Sequence, residues 1–283
     1  MKIKDLGNNW FSAYKRCVES YRIKEAFLIA HFYKPKKLYK YFSFNKFWKD
    51  NVENGTIVLN SVYNFNDPLD SRWFLDYEKI LTNRTGDSEF VNNFMNGVGK
   101  ESIIRTYEED MLYLKDSYRI SCFSETPCSN LMWGHYSDKH TGFCLEYDVD
   151  KLTEKFKLIM PVIYTEKPFD ASDIIDMRGI SDEFAEICPA LFKSKDWSYE
   201  KEWRIIENAK KVECQKMVRI PEAVTGIYLG FKTLSNNKAD ELKTLANELN
   251  IPLYRMQRSY LSYDLVYTSE SDLYKGKAKG FLI

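Results

Sequence analysis

Apolar positions in the first third of the chain recur mostly at helical spacing. The periodic apolar residues of the first segment are Trp10, Phe11, Tyr14, Val18, Tyr21 and Ile29. This spacing predicts one amphipathic helix over residues 9–30, and a second helix is predicted over 44–53. Residues 38–42 and the β-branched run 56–60 predict strands. Apolar and charged positions over residues 72–117 again alternate at helical period.

The remainder of the chain alternates strand patterns with three helical patterns. Strands are predicted over 119–124, 143–149, 158–164, 199–207, 216–220, 225–231 and 252–256. A short helix or turn is predicted over 130–136, and helices over about 170–193 and over 238–249. These elements occur in unequal blocks without a βαβ rhythm. They therefore predict an α+β fold whose mixed, largely antiparallel split sheet is flanked by helices.

The same pattern gives a simple domain organisation. Residues 1–35 are interpreted as an N-terminal helical extension, and residues 36–283 as one α+β domain with helical insertions at about 72–117 and 170–195. The 283 residues are 44% hydrophobic and 16% aromatic, which excludes a disordered chain. No apolar run approaches the roughly 18–20 residues of a membrane helix, and six scattered cysteines are typical of reduced thiols. A cytoplasmic protein without a membrane partner is expected.

Several familiar catalytic motifs do not occur in the sequence. It contains no HExxH, CxxC, P-loop, GxGxxG or GxSxG pattern, and only three histidines. The expectation is therefore a metal-free mechanism built on carboxylates, or no catalysis at all.

Basic residues are concentrated at the beginning of an otherwise neutral chain. Residues 1–50 carry 12 Lys and Arg against 4 Asp and Glu, whereas the whole chain carries 41 of each kind. Lys34, Lys36, Lys37 and Lys40 precede or lie within an aromatic segment. Such a pattern suits binding of phosphates or bases, or it forms a solvated positive face.

Three segments have a composition that points to a site. The first is Phe-Asn-Asp-Pro-Leu-Asp at 65–70, which follows a predicted strand. Asn66, Asp67 and Asp70 either form a turn with the proline or orient the hydroxyl groups of a ligand.

The second segment is Met-Trp-Gly-His-Tyr at 132–136. Its aromatic side chains either hold a flat ring, such as a nucleobase or nicotinamide, or form a buried aromatic corner.

The third segment is Trp-Ser-Tyr-Glu-Lys-Glu-Trp-Arg at 197–204. In a strand, Glu200, Glu202 and Arg204 would share one face, and Trp203 would lie on the other. Two carboxylates beside an arginine would have coupled ionisation, which is common at functional sites. The alternative is a solvated strand face with cross-strand ion pairs.

These segments together resemble an uncharacterised bacterial family, the domain of unknown function numbered 2971. The resemblance rests on Leu-Tyr-Lys-Tyr at 38–41, Asn-Asp-Pro-Leu-Asp at 66–70, Met-Trp-Gly-His-Tyr at 132–136 and the segment 197–204. It extends from about residue 37 to residue 256. Membership of this family does not by itself imply a reaction.

The layout is also distantly similar to ADP-ribosyltransferases of the DarT-like kind. That similarity implies NAD as co-substrate, no metal, and Glu202 as the catalytic carboxylate on a late strand. Glu200 or His135 would then activate the acceptor. The residues implied in NAD binding are Lys40, Tyr41, Ser43, Asn66, Asp67, Asp70, Trp133, Tyr136 and Arg204. Among them, Lys40 and Arg204 are candidates for the pyrophosphate, and Trp133 and Tyr136 for the pocket walls.

The expected function is an NAD-consuming ADP-ribosyltransferase that acts as a toxin or anti-phage defence effector. Its acceptor would be a macromolecule, and the basic first 50 residues favour RNA or DNA over protein. A neutralising antitoxin protein is a further possible partner. The alternatives are a hydrolase of NAD or nucleotides that uses the same pocket, and a non-catalytic sensor or binding module.

Overall fold

The computed structural model describes residues 2–96, 101–102, 105–106, 109, 117–172, 185–209, 215–233 and 237–269. Of residues 84, 185, 186 and 215 it describes the backbone only. The predicted helical segments 72–117 and 170–193 therefore lie partly outside the described residues. No helix in the described residues is long and apolar enough to cross a membrane.

The N-terminal segment forms two helices, α1 (Trp10–Glu19) and α2 (Ile23–Tyr33), so the prediction of one helix over 9–30 is wrong. The chain turns between them at Tyr21, whose φ of 58° is left-handed and interrupts the helical hydrogen bonds. Both helices bury an apolar stripe in the main core. The hydroxyl of Tyr14 donates to the carbonyl oxygen of Pro161 at 2.7 Å, which fixes α1 to the sheet.

The other helices with described bounds are α3 (Trp48–Glu53), α4 (Tyr77–Thr85), α5 (Ser88–Asn96), α6 (Asn130–Tyr136), α7 (Val149–Lys155) and α8 (Asn237–Glu248). The strands are β1 (Lys37–Phe42), β2 (Thr56–Asn60), β3 (Trp73–Phe74), β4 (Tyr118–Ser124), β5 (Phe143–Asp148), β6 (Ile159–Pro161), β7 (Ile163–Thr165), β8 (Phe169–Asp170), β9 (Phe192–Ser194), β10 (Glu202–Asn208), β11 (Gln215–Arg219), β12 (Val224–Leu229), β13 (Leu253–Arg258) and β14 (Leu265–Ser269).

Most predicted strands are confirmed within a residue or two, and two predictions need correction. The single strand predicted over 158–164 is two strands, β6 and β7, which pair with different neighbours. Within the predicted helix 170–193, strand β8 ends at Asp170, and residues 185–193 form a 3₁₀ helix, Ala185–Leu191, and then the start of β9. Strand β14 was not predicted.

The main sheet has the order β11-β2-β4-β1-β5-β12-β13-β14, with β10 and β6 joined through β4. Its described pairings are antiparallel except for β12 with β13. Helices flank this open sheet, so the predicted α+β class with a largely antiparallel sheet is confirmed.

The sheet splits along one edge of β4. Strand β10 pairs with all seven residues of β4 and so occupies one edge completely. On the other edge, β1 pairs only through Tyr39 with Ser124, and β2 only through Asn60 with Ile120. Strands β1 and β2 therefore diverge from β4 in opposite directions and leave a gap between them, which we call the fork.

Candidate active site

A cavity of about 290 Å³ lies at this fork. Its walls come from β1, β4, α6, β9, β10 and the loop after β2. The lining residues are Tyr39, Lys40, Tyr41, Asn64, Phe65, Asn66, Cys122, Phe123, Ser124, Met132, Tyr136, Lys193, Glu200 and Glu202. Five of them carry aromatic rings, so the cavity combines flat apolar walls with a few charged groups. This composition is typical of small-molecule sites.

The local structure around β10 brings the two glutamates together. The strand begins at Glu202, three residues later than predicted, because residues Lys195–Glu200 form a 3₁₀ helix. Lys201 joins the two elements with a left-handed φ of 46°. Glu200 therefore reaches the cavity from a turn, and Glu202 reaches it from the first position of the strand.

Lys193 on β9 connects the carboxylates of three separate segments. Its ammonium lies 2.5 Å from Glu200 Oε2, 3.1 Å from Glu202 Oε2 and 3.3 Å from Asp70 Oδ2. These four side chains and that of Arg204 are buried, and we call the five residues the charged centre. Three carboxylates and two cations satisfy one another there, as charges removed from water must.

Arg204 holds the other side of the charged centre. Its Nε donates to Glu202 Oε1 at 2.8 Å, and one terminal nitrogen donates to Asp70 Oδ2 at 2.7 Å. The other terminal nitrogen donates to the carbonyl oxygen of Ala190 at 2.7 Å. Arg204 is fully buried, and its donors are occupied by protein groups. The expected role of Arg204 as a ligand of a pyrophosphate is therefore wrong.

The two glutamates of the charged centre have opposite pKa shifts. Burial and the negative charge of Glu202 raise the pKa of Glu200 to about 7. Burial also opposes ionisation of Glu202, but the charges of Arg204 and Lys193 outweigh it and hold its pKa well below the usual range. For Lys193, burial is outweighed by the surrounding carboxylates, so its pKa lies well above the ordinary value. Near neutral pH, Glu202 is an anion, and Glu200 is close to half protonated.

Tyr136 positions Glu200 from the opposite wall. Its hydroxyl donates to Glu200 Oε1 at 2.6 Å and accepts a hydrogen bond from Asn66 Nδ2 at 3.1 Å. Burial and the negative charge of Glu200 raise the pKa of Tyr136, so this hydroxyl stays protonated. The predicted segments 65–70, 132–136 and 197–204 therefore meet at one point.

The side chain of Lys40 on β1 crosses the gap to β4. Its Nζ donates to Ser121 Oγ at 3.1 Å and to the carbonyl oxygen of Cys122 at 2.8 Å, at the edge of β4 that faces the fork. The ammonium also lies 4.9 Å from the centre of the Phe123 ring. Burial lowers the pKa of Lys40. An ammonium has three donors, so two bonds to described residues leave one for a ligand in the cavity.

Not every predicted site residue lines this cavity. Trp133 is fully buried, packs against the ring of Tyr41 and donates from Nε1 to the carbonyl oxygen of Pro127; its predicted role as a pocket wall is wrong. Asp67 accepts from the backbone N–H of Leu69 and thus shapes the loop.

His135 and Ser43 do not line the cavity at the fork. Both line a neighbouring cavity, where His135 is exposed and its ring stacks on Tyr199. His135 is therefore not placed against the two glutamates. Lys193, by contrast, was missed because residues 170–193 were interpreted as a helix. The available signal was a lysine beside Phe192 in a short apolar run.

The comparisons with known proteins give one match. The model of a family described as "Protein of unknown function (DUF2971)" matches residues 132–205. This confirms the resemblance to that family over a range that includes most of α6, β9, the 3₁₀ helix Lys195–Glu200 and the first positions of β10. These elements supply Tyr136, Lys193, Glu200, Glu202 and Arg204. The motifs at 38–41 and 66–70 lie outside the matched range. No curated protein and no solved structure matches the chain.

Proposed function

We propose that this chain is an NAD-dependent ADP-ribosyltransferase. The observation that carries the proposal is the pair of glutamates with opposite pKa shifts on the wall of one aromatic cavity. Carboxylates whose environments separate their pKa values in this way divide the roles of electrostatic stabiliser and acid or base between them.

Glu202 supplies the permanent negative charge. Breaking the bond between ribose C1′ and the nicotinamide nitrogen passes through an oxocarbenium-like transition state, as glycoside cleavage does. The bonding electrons leave with nicotinamide, which departs neutral, and positive charge develops on the ribose. A fixed carboxylate at the cavity wall stabilises that charge more than it stabilises the ground state. Arg204 and Lys193 keep Glu202 ionised and in position.

Glu200 acts as the base toward the acceptor. A pKa of about 7 lets the carboxylate take a proton at neutral pH. The acceptor nucleophile forms the new bond to C1′, and its proton passes to Glu200. Tyr136 and Lys193 hold one carboxylate oxygen each, at 2.6 and 2.5 Å, so the group is oriented before the acceptor arrives.

The aromatic walls suit nicotinamide. Tyr39, Tyr41, Phe65 and Phe123 offer flat surfaces, and the free donor of Lys40 suits a carboxamide oxygen or a phosphate. A volume of about 290 Å³ lies at the lower end of ligand pockets. It is suited to the nicotinamide riboside part of NAD rather than to the complete dinucleotide.

The acceptor is proposed to be a macromolecule, and the biological role that of a toxin or anti-phage effector neutralised by an antitoxin protein. The basic beginning of the chain is the support for RNA or DNA as acceptor. That support is reduced by ion pairs, since Lys34 lies 3.1 Å from Asp150 and Lys37 lies 3.5 Å from Glu146.

The deciding experiment incubates the purified protein with NAD labelled in the ADP-ribose part and with a cell lysate. Released nicotinamide is measured, and label on macromolecules is assigned by separate nuclease and protease digestion. We expect Glu202→Gln to reduce nicotinamide release by about 10²–10³-fold, as loss of a transition-state stabiliser does. Glu207→Gln is the matched control, because Glu207 lies on the same strand and pairs with Lys216 outside the cavity.

Each outcome assigns the protein to one class. Label on nucleic acid or protein, lost in Glu202→Gln, supports the transferase and identifies its acceptor. Nicotinamide release without label identifies a hydrolase. Neither release nor label, together with growth arrest on expression that Glu202→Gln does not relieve, would contradict catalysis and favour a binding module.

A further inference from the structure

A second cavity of about 540 Å³ adjoins the first. Tyr136 lines both, so the two cavities meet at the residue that orients Glu200. Ser43, Asn45 and Thr141 add polar groups, and Lys238 adds a positive charge. This cavity is larger and more polar than the one at the fork.

We infer that the second cavity binds the ADP part of the dinucleotide, so that NAD lies across Tyr136 with nicotinamide at the fork. This inference rests on the proposed function. The fork cavity is suited to only half of the dinucleotide, and the other half must leave it along a shared wall. Tyr136 forms such a shared wall, and its hydroxyl bonds to Glu200. The diphosphate and adenosine therefore fit in the adjoining polar cavity.

Lys238 is the group that recognises the diphosphate. It lies in the first turn of α8, is exposed, and donates from Nζ to the carbonyl oxygen of Phe44 at 2.8 Å. This bond holds the ammonium over the cavity and leaves further donors for phosphate oxygens. Asp138 faces the same cavity, and its carboxylate suits the hydroxyl groups of the adenosine ribose rather than a phosphate.

The segment 138–142, which supplies Asp138 and Thr141 to this cavity, has an unusual backbone conformation. Asp138, Lys139 and His140 have consecutive left-handed φ values of 48°, 55° and 74°, a conformation that side chains rarely adopt. At the end of this segment Gly142 packs closely against β1, since a Cβ there would lie 2.1 Å from the carbonyl oxygen of Phe42. Thr141, whose hydroxyl bonds to Asp138, is thereby presented at a fixed position. A strained segment held by its surroundings is typical of ligand-binding sites.

The test measures binding of ADP and of nicotinamide riboside by calorimetry, independently of turnover. We expect Lys238→Glu to weaken ADP binding at least about tenfold, because it replaces a charge-assisted bond by repulsion. Lys238→Arg should retain most of the affinity. Lys243→Glu is the control, since Lys243 lies on the same helix and pairs with Asp240 rather than lining the cavity. Nicotinamide riboside, which lacks a phosphate, should bind all three variants almost equally.

The outcomes separate this inference from the proposed function. Wild-type protein that does not bind ADP, or that binds it unchanged after Lys238→Glu, overturns the inference even if NAD is cleaved. ADP binding that depends on Lys238 supports the second site, whether or not nicotinamide is released. Transfer of labelled ADP-ribose to a macromolecule, measured separately, decides the proposed function alone.

Discussion

Alternate residues of β10 form two buried faces of opposite character, one apolar and one charged. Trp203 and Ile205 belong to the main apolar core, where the Trp203 ring lies 6.3 Å from that of Trp10 in α1. Glu202 and Arg204 face the charged centre, and they are as deeply buried as their neighbours. Burial of apolar surface stabilises the first face directly. The second face stabilises the fold only while every buried charge keeps its partner. Removing these charges from water costs free energy, and a function of the charged centre explains that cost more readily than folding does.

The largest effect is expected when one residue of each face is truncated. Trp203→Ala and Arg204→Ala should each lower the free energy of unfolding by about 3–5 kcal/mol, the first by leaving a cavity and the second by leaving unpaired buried carboxylates. Their pH dependence should differ. Because the pKa of Glu202 is lowered in the folded state, its ion pairing contributes to the free energy of unfolding above about pH 4.5, and this contribution is lost as the pH falls.

Denaturant unfolding at pH 7.5 and pH 4 measures this difference. The cost of Arg204→Ala should shrink at pH 4, because the buried carboxyl groups of the variant, which lack the guanidinium, take up protons there and no longer need a cation. The cost of Trp203→Ala should stay the same. Equal costs at both pH values for Arg204→Ala would contradict the assignment of its role to charge pairing.

The alternation on β10 was predictable from the sequence, whereas its partner Lys193 was not. A period of two placed Glu202 and Arg204 opposite Trp203 without any knowledge of the tertiary structure. Asp70, Tyr136 and Asn66 were found because their segments have unusual compositions. To predict Lys193 one would need to know how β9 lies next to the charged residues of β10, and a three-residue strand between two 3₁₀ helices has no clear periodicity. The break at Tyr21 was missed for a related reason, since apolar spacing continues through it.

A second prediction removes the cation that joins the carboxylates. Lys193→Met should lower the free energy of unfolding by about 3 kcal/mol, because Glu200 would lose the cation it pairs with, and Asp70 and Glu202 would share Arg204 alone. Lys195→Met is the matched control. Lys195 is two residues away, and its ion pair with Glu166 is exposed, so its loss should cost less than about 1 kcal/mol. Similar costs for both variants would show that Lys193 does not hold the charged centre together.

A third prediction concerns Glu200 and the pH dependence of stability. A folded pKa of about 7 lies above the unfolded value of about 4.5. Between these two pH values the folded state therefore holds a proton that the unfolded state releases. The resulting contribution to the free energy of unfolding is fully present below about pH 4.5 and is lost as the pH rises to about 7. Glu200→Gln should abolish that loss. The stability of the variant relative to wild type should rise by roughly 1–3 kcal/mol between pH 4.5 and 7.5.

Thermal or denaturant unfolding across this range tests the sign as well as the size. Glu207→Gln should follow the wild-type curve, since Glu207 is only partly buried and pairs with Lys216 at the strand's other end. A flat difference between Glu200→Gln and wild type would mean that Glu200 is ionised throughout the range. Its role as a base at neutral pH would then lose its support.

The smallest effect is expected at the basic beginning of the chain. Lys34 lies 3.1 Å from Asp150, whose side chain is 81% exposed. Solvent screens such a pair, so Lys34→Ala should change the free energy of unfolding by less than about 0.5 kcal/mol, and less still in 0.5 M salt. Chemical denaturation of wild type and variant at low and high salt measures this. A cost above about 2 kcal/mol would place Lys34 in the same energetic class as the charged centre. A negligible cost combined with reduced transfer of ADP-ribose to a nucleic acid would instead assign the residue to acceptor binding, because only contact with a polyanion makes a screened surface lysine matter.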